Sequence, residues 1–498
     1  MTGLYRGWIL VPGHVARCIV TFSGWVLSLN YTLRNDLGDM PLQDQPTALL
    51  SLLHLSDTHV VDTVSPARCE WVELLAHDPL WKPLLHMHRP YEALTHWALN
   101  AHVDYLRRSP VSPFMGRRFD LAISTGDNID NAQLNELHAF LAILGGGRTA
   151  LSAAGGVHDP SLELGAGPWP FWCPEATVDD AWKPLGYPVV PDFVQRASAE
   201  VVSGGLGFPW TSLPGNHDFM RQGTALPEPG IEQIAVGADK TLRRPAGFEP
   251  ADPLTLFVSQ PGQFSQGATR QVAAVPERHA VDKHAWLAAH VAHGAVGYTA
   301  DHVRRGSADT VIDIGDVRII MLDTNHPAGD YQGSIGAAQL AWLEDRLAEV
   351  DAQPGRLAVL TSHHGSASLT NTRGNAPERL HADALTAVAH RHPCVVAWLV
   401  GHRHLHRVTA HPGPTGGGSG FWEITTASTI DWPCQTRSIE IVRHSQGQIE
   451  IICSLMDHDA PPDSLARLHH HLARKFAGDT ALHMQGQATD GNVRLLRP

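Results

Sequence analysis

Five short polar blocks along this chain carry residue types that bind metal ions, and each follows a run of apolar residues. Asp57-Thr58-His59 follows Leu49–Ser56, and Gly126-Asp127-Asn128-Ile129-Asp130 follows Phe119–Ser124. Gly215-Asn216-His217-Asp218 comes after a short run ending at Pro214. His363-His364 follows Leu357–Thr361, and Gly401-His402-Arg403-His404 follows Val395–Val400. Mixed carboxylate, amide and imidazole donors suit borderline divalent ions such as Mn²⁺, Fe²⁺ or Zn²⁺. A lone D-x-H or H-x-H is usually structural. Five such blocks in succession, each at the end of a strand-like run, point to metal chemistry.

The elements that must position these blocks are legible as runs of four to eight apolar residues ending at polar breaks, the pattern of buried strands. Amphipathic stretches at Tyr91–Arg108, Asn131–Leu144, Ala337–Val350 and Leu380–His390 alternate with them. That alternation predicts an α/β layered fold in which strand ends carry the site. Gly420–Thr426, Ser438–Val442 and Ile449–Leu455 follow one another without helices, so the sheet is expected to be mixed. Residues 1–48 read as a strand-like N-terminal extension packed on the core, 49–460 as the main domain, and 461–498 as a C-terminal helix and tail.

Two stretches break the rhythm and read as insertions, at about 145–210 and 220–309. The first is rich in glycine and proline and contains Trp169, Trp172, Trp182 and Trp210. Both flank metal-type blocks, so both are expected to cap the site, with the tryptophans as apolar walls.

Composition narrows the function. The 498 residues include 37 Lys+Arg against 50 Asp+Glu, a net charge of −13, which disfavours long nucleic acids as partners. Six cysteines without a C-x-x-C pair give no zinc ribbon and no dense disulfide framework. The N-terminal segment is broken by Arg6, Pro12, His14 and Arg17, so neither a membrane span nor a clear export signal is expected, and the expected location is the cytoplasm. The 32 histidines are too many to be informative by number. His469, His470 and His471 sit in a helix-like stretch and receive no role.

The blocks D-x-H, G-D-x-x-D, G-N-H-D, a later His and G-H-x-H, from Asp57 to His404, resemble the signature of calcineurin-like (purple-acid-phosphatase-like) dinuclear metallophosphoesterases. The resemblance implies a β-sandwich flanked by helices, in α-β-β-α layers. It implies that Asp57, His59 and His404 hold one metal ion, that Asn216, His363 and His402 hold a second, and that Asp127 bridges them. His363 is preferred to His364 because it comes first after the strand. Two dications offset by only two carboxylates leave positive charge for a phosphate. By the same resemblance, a hydroxide between the ions attacks phosphorus while His217 assists the departing oxygen, with Asp218 and Asp130 as orienting groups. Arg68, Asn128, His364 and Arg403 lie in or beside the blocks as candidate phosphate contacts. The implied substrate is a small phosphodiester or phosphomonoester, organic or nucleotide. Alternatives are a catalytically silent scaffold of the same fold, or an amidohydrolase-type metal hydrolase, for which the H-x-H would be expected on the first strand of a barrel.

Overall fold

The computed structural model describes residues 5–11, 14–20, 26–40, 46–153, 169–375, 378–414 and 419–497, with side chains from residue 30 onward except at 375. Two large sheets dominate. In spatial order the first contains Tyr5–Val11, His14–Val20, Val26–Arg34, Val493–Arg497, Ile449–Met456, Thr436–Arg443, Thr47–Leu55, Leu121–Ser124 and Trp210–Ser212. The second contains Thr310–Ile314, Val317–Leu322, Leu357–Ser362, Val395–Val400, Phe421–Thr425 and Arg407–His411. Both are mixed, and neither closes into a barrel.

Parallel pairing places the blocks at one edge. Thr47–Leu55, Leu121–Ser124 and Trp210–Ser212 run parallel in the first sheet. Val317–Leu322, Leu357–Ser362, Val395–Val400 and Phe421–Thr425 do so in the second. Their side chains explain the continuous apolar runs, because both faces are covered. Val317, Ile319 and Met321 join Leu52, Leu121, Ile439 and Ile451 in a core shared by the two sheets. The alternate residues Ile320 and Leu322 pack with Leu343, Leu347, Leu385 and Val388, from the helices Ala337–Asp351 and Ala382–Arg391.

The two ends of the chain meet in the first sheet. The three N-terminal strands extend it, and Val493–Arg497 pairs with Val26–Arg34 on one side and Ile449–Met456 on the other. The expected tail is therefore partly a sheet strand. The helix Leu465–Ala477 forms as expected, with Ser464 capping Arg467 N–H.

The insertions carry local structure of their own. Each closes through a small antiparallel ladder, Gly147–Thr149 with Val201–Ser203 and Asp239–Thr241 with Thr269–Gln271. Part of the first, 154–168, lies outside the described residues. Trp172 is 1% exposed and packs with Tyr187, Phe193, Tyr91 and Leu472, while Trp169 is 3% exposed against Phe171. Both tryptophans are buried, and Trp172 lies in a core that the insertion shares with Tyr91 and the helix Leu465–Ala477. They are needed there because the insertion must bury apolar area to be ordered at all. The second insertion packs Phe257 and Phe264 on Trp71, Trp81 and Leu84. It reaches the blocks at Gly223, beside His217 and Asn216.

Candidate metal centre

Turns after six parallel strands converge at one edge of the two sheets. One donor atom from each of Asp57, His59, Asp127 and His404 lies within 4.8 Å of the others. His59 Nε2 stands 3.2 Å from His404 Nε2, and His404 Nε2 3.2 Å from Asp57 Oδ1. The Asp127 Oδ2 atom is 3.7 Å from His59 Nε2 and 3.1 Å from His363 Nε2, so it faces two groups of donors. The second group is completed by Asn216 Oδ1, 3.1 Å from His363 Nε2, and His402 Nδ1, 3.3 Å from the same atom.

Each donor is held from behind. His59 Nδ1 donates to Asp130 Oδ1 at 3.0 Å, His404 Nδ1 to Asp431 Oδ2 at 2.6 Å, and His363 Nδ1 to the Thr125 carbonyl at 2.7 Å. Asn216 Nδ2 donates to the Gly223 carbonyl at 2.9 Å, which turns Oδ1 inward. His217 N–H donates to Asp127 Oδ1 at 2.8 Å, which leaves Oδ2 for the centre. With the outer nitrogens of His59, His404 and His363 committed as donors, their inner nitrogens present lone pairs. Two imidazole lone pairs 3.2 Å apart make no hydrogen bond, but a cation between them is a ligand site. The buried His and Asp groups thus fit metal ions, by donor type and by the tautomers their partners impose.

The backbone is shaped for this convergence. Of the ten non-glycine residues with positive φ among those described, five are candidate ligands: Asp57, His59, Asp127, His402 and His404. Such conformations cost on the order of 1–3 kcal/mol each and persist where surroundings enforce them, often at functional sites. Two glycines permit the close packing. A Cβ at Gly126 (φ 97°) would lie 2.6 Å from Gly215 N and 2.7 Å from His363 Nδ1. One at Gly401 would lie 2.7 Å from Asp57 Oδ2 and closer still to the Ser56 hydroxyl.

Electrostatics follow the carboxylates. Burial opposes protonation of His404, but Asp57 and Asp431 outweigh it and lift its pKa to about 10. His363 is lifted to about 9, mainly by Asp127 against the same opposition. His217 is raised as well, because Asp127 and Asp130 outweigh its burial. Burial and neighbouring imidazoles hold His402 well below its usual range. Burial likewise lowers His59 to about 4, so His363 and His404 favour protons while His59 and His402 stay neutral.

His217 lies beside this set, its ring centroid 4.4 Å from that of His59. Its Nδ1 donates to the Asp130 carbonyl at 2.9 Å, and Nε2 has no hydrogen-bond partner among the described residues. Asp130 therefore orients both His59 and His217.

Other sequence-predicted residues are placed differently. Asp218 makes no hydrogen bond to the His217 ring among the described residues. Its carboxylate accepts from Gly215 N–H at 2.7 Å and Asn128 N–H at 3.2 Å, tying two ligand turns together. Asn128 is buried, with its amide donating to the Leu213 carbonyl and its oxygen accepting from Ser124 Oγ, so it is no phosphate contact. Arg68 is fully buried, paired to Glu92 at 2.6 Å, Glu70 at 2.9 Å and Asp130, and it too is no phosphate contact. An unpaired guanidinium could not be buried there without large cost. Both nitrogens of His364 are engaged, by the Thr324 hydroxyl at 2.9 Å and the Tyr331 carbonyl at 3.0 Å. His363, His364 and His402 nevertheless lie close enough together to hold an ion as a group, and of the paired histidines only His363 turns a nitrogen toward Asp127 Oδ2 and Asn216 Oδ1 among its described contacts. Arg403 alone among the candidate contacts is exposed, between His402 and His404.

Asp431 was missed by sequence reasoning. It holds His404 and accepts from Arg89 at 2.7 Å and the Tyr91 hydroxyl at 2.8 Å. The available signal was its position in the break after Phe421–Thr425, a strand parallel to the others. No family model matches this chain, and no curated protein matches it.

Proposed function

We propose that the chain is a dinuclear metal-dependent hydrolase of small phosphate esters, on a metallophosphoesterase-type β-sandwich flanked by helices. The observation that carries this reading is the pair of donor sets meeting at Asp127 Oδ2, in which the outer nitrogens of His59, His404 and His363 are fixed as donors. Asp57, His59, His404 and Asp127 would hold one ion, and Asp127, Asn216, His363 and His402 the other, as Mn²⁺, Fe²⁺ or Zn²⁺. When bound, such ions supply Lewis-acid polarisation of a phosphoryl oxygen and lower the pKa of an attacking water.

The remaining work falls to the chain. Asp130 fixes the His217 ring, and the charge of Asp127 and Asp130 favours its protonated form. In this reading His217 Nε2 donates a proton to the departing ester oxygen. Arg403 can meet a phosphate from the solvent side. Phosphodiesters and phosphomonoesters, organic or nucleotide, both remain within this substrate class.

Hydrolysis of mono- and bis-(p-nitrophenyl) phosphate with added Mn²⁺, alongside metal analysis, tests the reading. Two ions per chain and turnover of either ester are expected. Two ions without turnover of any ester would favour a silent scaffold. An amidohydrolase-type centre is disfavoured because His402 and His404 follow a strand of an open sheet.

A further inference from the structure

A cavity of about 620 Å³ opens along the helix Leu465–Ala477, lined by different residues from the metal centre. Arg196, Arg467, Arg474, His470 and His471 line it together with Trp432. Among the described residues, the only carboxylate in its wall is Asp463. None of the three arginines forms an ion pair among the described residues. Arg467 donates only to the Ala460 carbonyl, at 3.1 and 3.3 Å, and Arg474 only to the Gly478 carbonyl at 3.4 Å.

The neighbouring cavity is a built-in contrast. It shares Arg196 and Ser464, but its own arginine, Arg108, is neutralised by Asp459 at 2.5 Å and Asp104 at 3.2 Å. In a chain of net charge −13, three guanidiniums without carboxylate partners around one hollow are a local reversal of sign. Guanidiniums of this kind match phosphate in charge and in donor geometry. Its lining includes an indole, that of Trp432. Arg474 lies 5.4 Å from the Trp432 ring centroid and His470 5.2 Å from it, so planar groups already gather on this indole. The volume lies within the range of small-molecule sites.

We propose that this cavity is a second binding site, for a small molecule carrying a phosphate on a planar ring, with AMP as the representative. The arginines take the phosphate and Trp432 the ring. The site needs no chemistry at the metal centre and stands independently of the proposed hydrolysis.

Isothermal titration of the full chain with the phosphonate analogue of AMP, which has no ester bond to cleave, tests it. The analogue is expected to bind more tightly than inorganic phosphate or adenosine. The double variant Arg196→Gln/Arg474→Gln should weaken it by roughly tenfold or more, since charge-assisted contacts are lost. Arg108→Gln, in the adjacent cavity, should leave affinity unchanged. Both arginines are exposed, and an unaltered melting temperature checks that the variants fold. No binding at millimolar analogue, or equal binding by the double variant, would overturn the site. Inorganic phosphate binding as tightly as the analogue would overturn the role given to Trp432.

Discussion

Two regions of this molecule are rich in histidine, and they have opposite character. At the sheet edge, His59, His363 and His404 each donate one nitrogen to a fixed acceptor and turn the other toward Asp127 or Asp57. Around the helix Leu465–Ala477, His102 packs on His458 with ring centroids 4.9 Å apart, and neither nitrogen of His469 has a hydrogen-bond partner among the described residues. Burial, aided by His470 and His458, pushes His469 down to about 3, so it is a neutral, apolar filler. A carboxylate or carbonyl behind the ring makes an imidazole a directed ligand. Burial alone makes it a space-filling aromatic.

The sharpest way to break this contrast is to exchange the two regions in a metal analysis. Asp127→Asn should lose metal and lower activity by roughly 10³-fold or more, because its Oδ2 faces both donor sets. His469→Leu should keep the full metal content. Metal lost from the second variant and retained by the first would reverse the assignment.

His217 sharpens the comparison within the edge region itself, since it is held by Asp130 like a ligand yet lies outside the donor set of Asp57, His59, Asp127 and His404. His217→Ala should retain metal and lower kcat by roughly 10²–10⁴. The loss should shrink for nitrophenyl esters, whose leaving groups need little protonation. Equal losses for good and poor leaving groups would mean that His217 chiefly holds the phosphate.

The acceptor behind the ring is tested at Asp431. Asp431→Asn keeps the shape but removes the charge that holds His404 Nδ1. Metal affinity should fall by roughly 10–100-fold, read by chelator competition. Unchanged affinity would show that ring placement by the backbone suffices.

The smallest effect concerns stability. His469 stays neutral in the folded chain to about pH 3, while in the unfolded chain it titrates near its ordinary value of about 6.5. Between these values the unfolded state binds one more proton, so stability falls as pH falls, by ~1.4 kcal/mol per pH unit. Above about 6.5 the residue adds no pH dependence. Denaturant titrations of His469→Leu between pH 7 and 5 should show a shallower acid limb than wild type. Parallel limbs would mean that the ring is protonated in the folded state.

Much of the centre was legible because buried parallel strands are short apolar runs, and the polar residues that end them sit where sites form. The blocks holding Asp57, Asp127, Asn216, His363, His402 and His404 were located that way, while the part each residue would play came from the resemblance. The sequence by itself determined the order of donors, the strand breaks that carry them and the glycines where turns crowd. It could not say which polar neighbours were already spent. Arg68, Asn128 and His364 are in or beside the same blocks but are locked by Glu92, Asp218 and Thr324, partners 24, 90 and 40 residues away. Nor could it place Val493–Arg497, whose strand state depends on lying between Val26–Arg34 and Ile449–Met456. Trp172 and Asp431 have the same explanation, since burial and tautomer control arise only when distant segments meet. Residue type and local pattern set what each group can do, and long-range packing decides which groups remain free to do it.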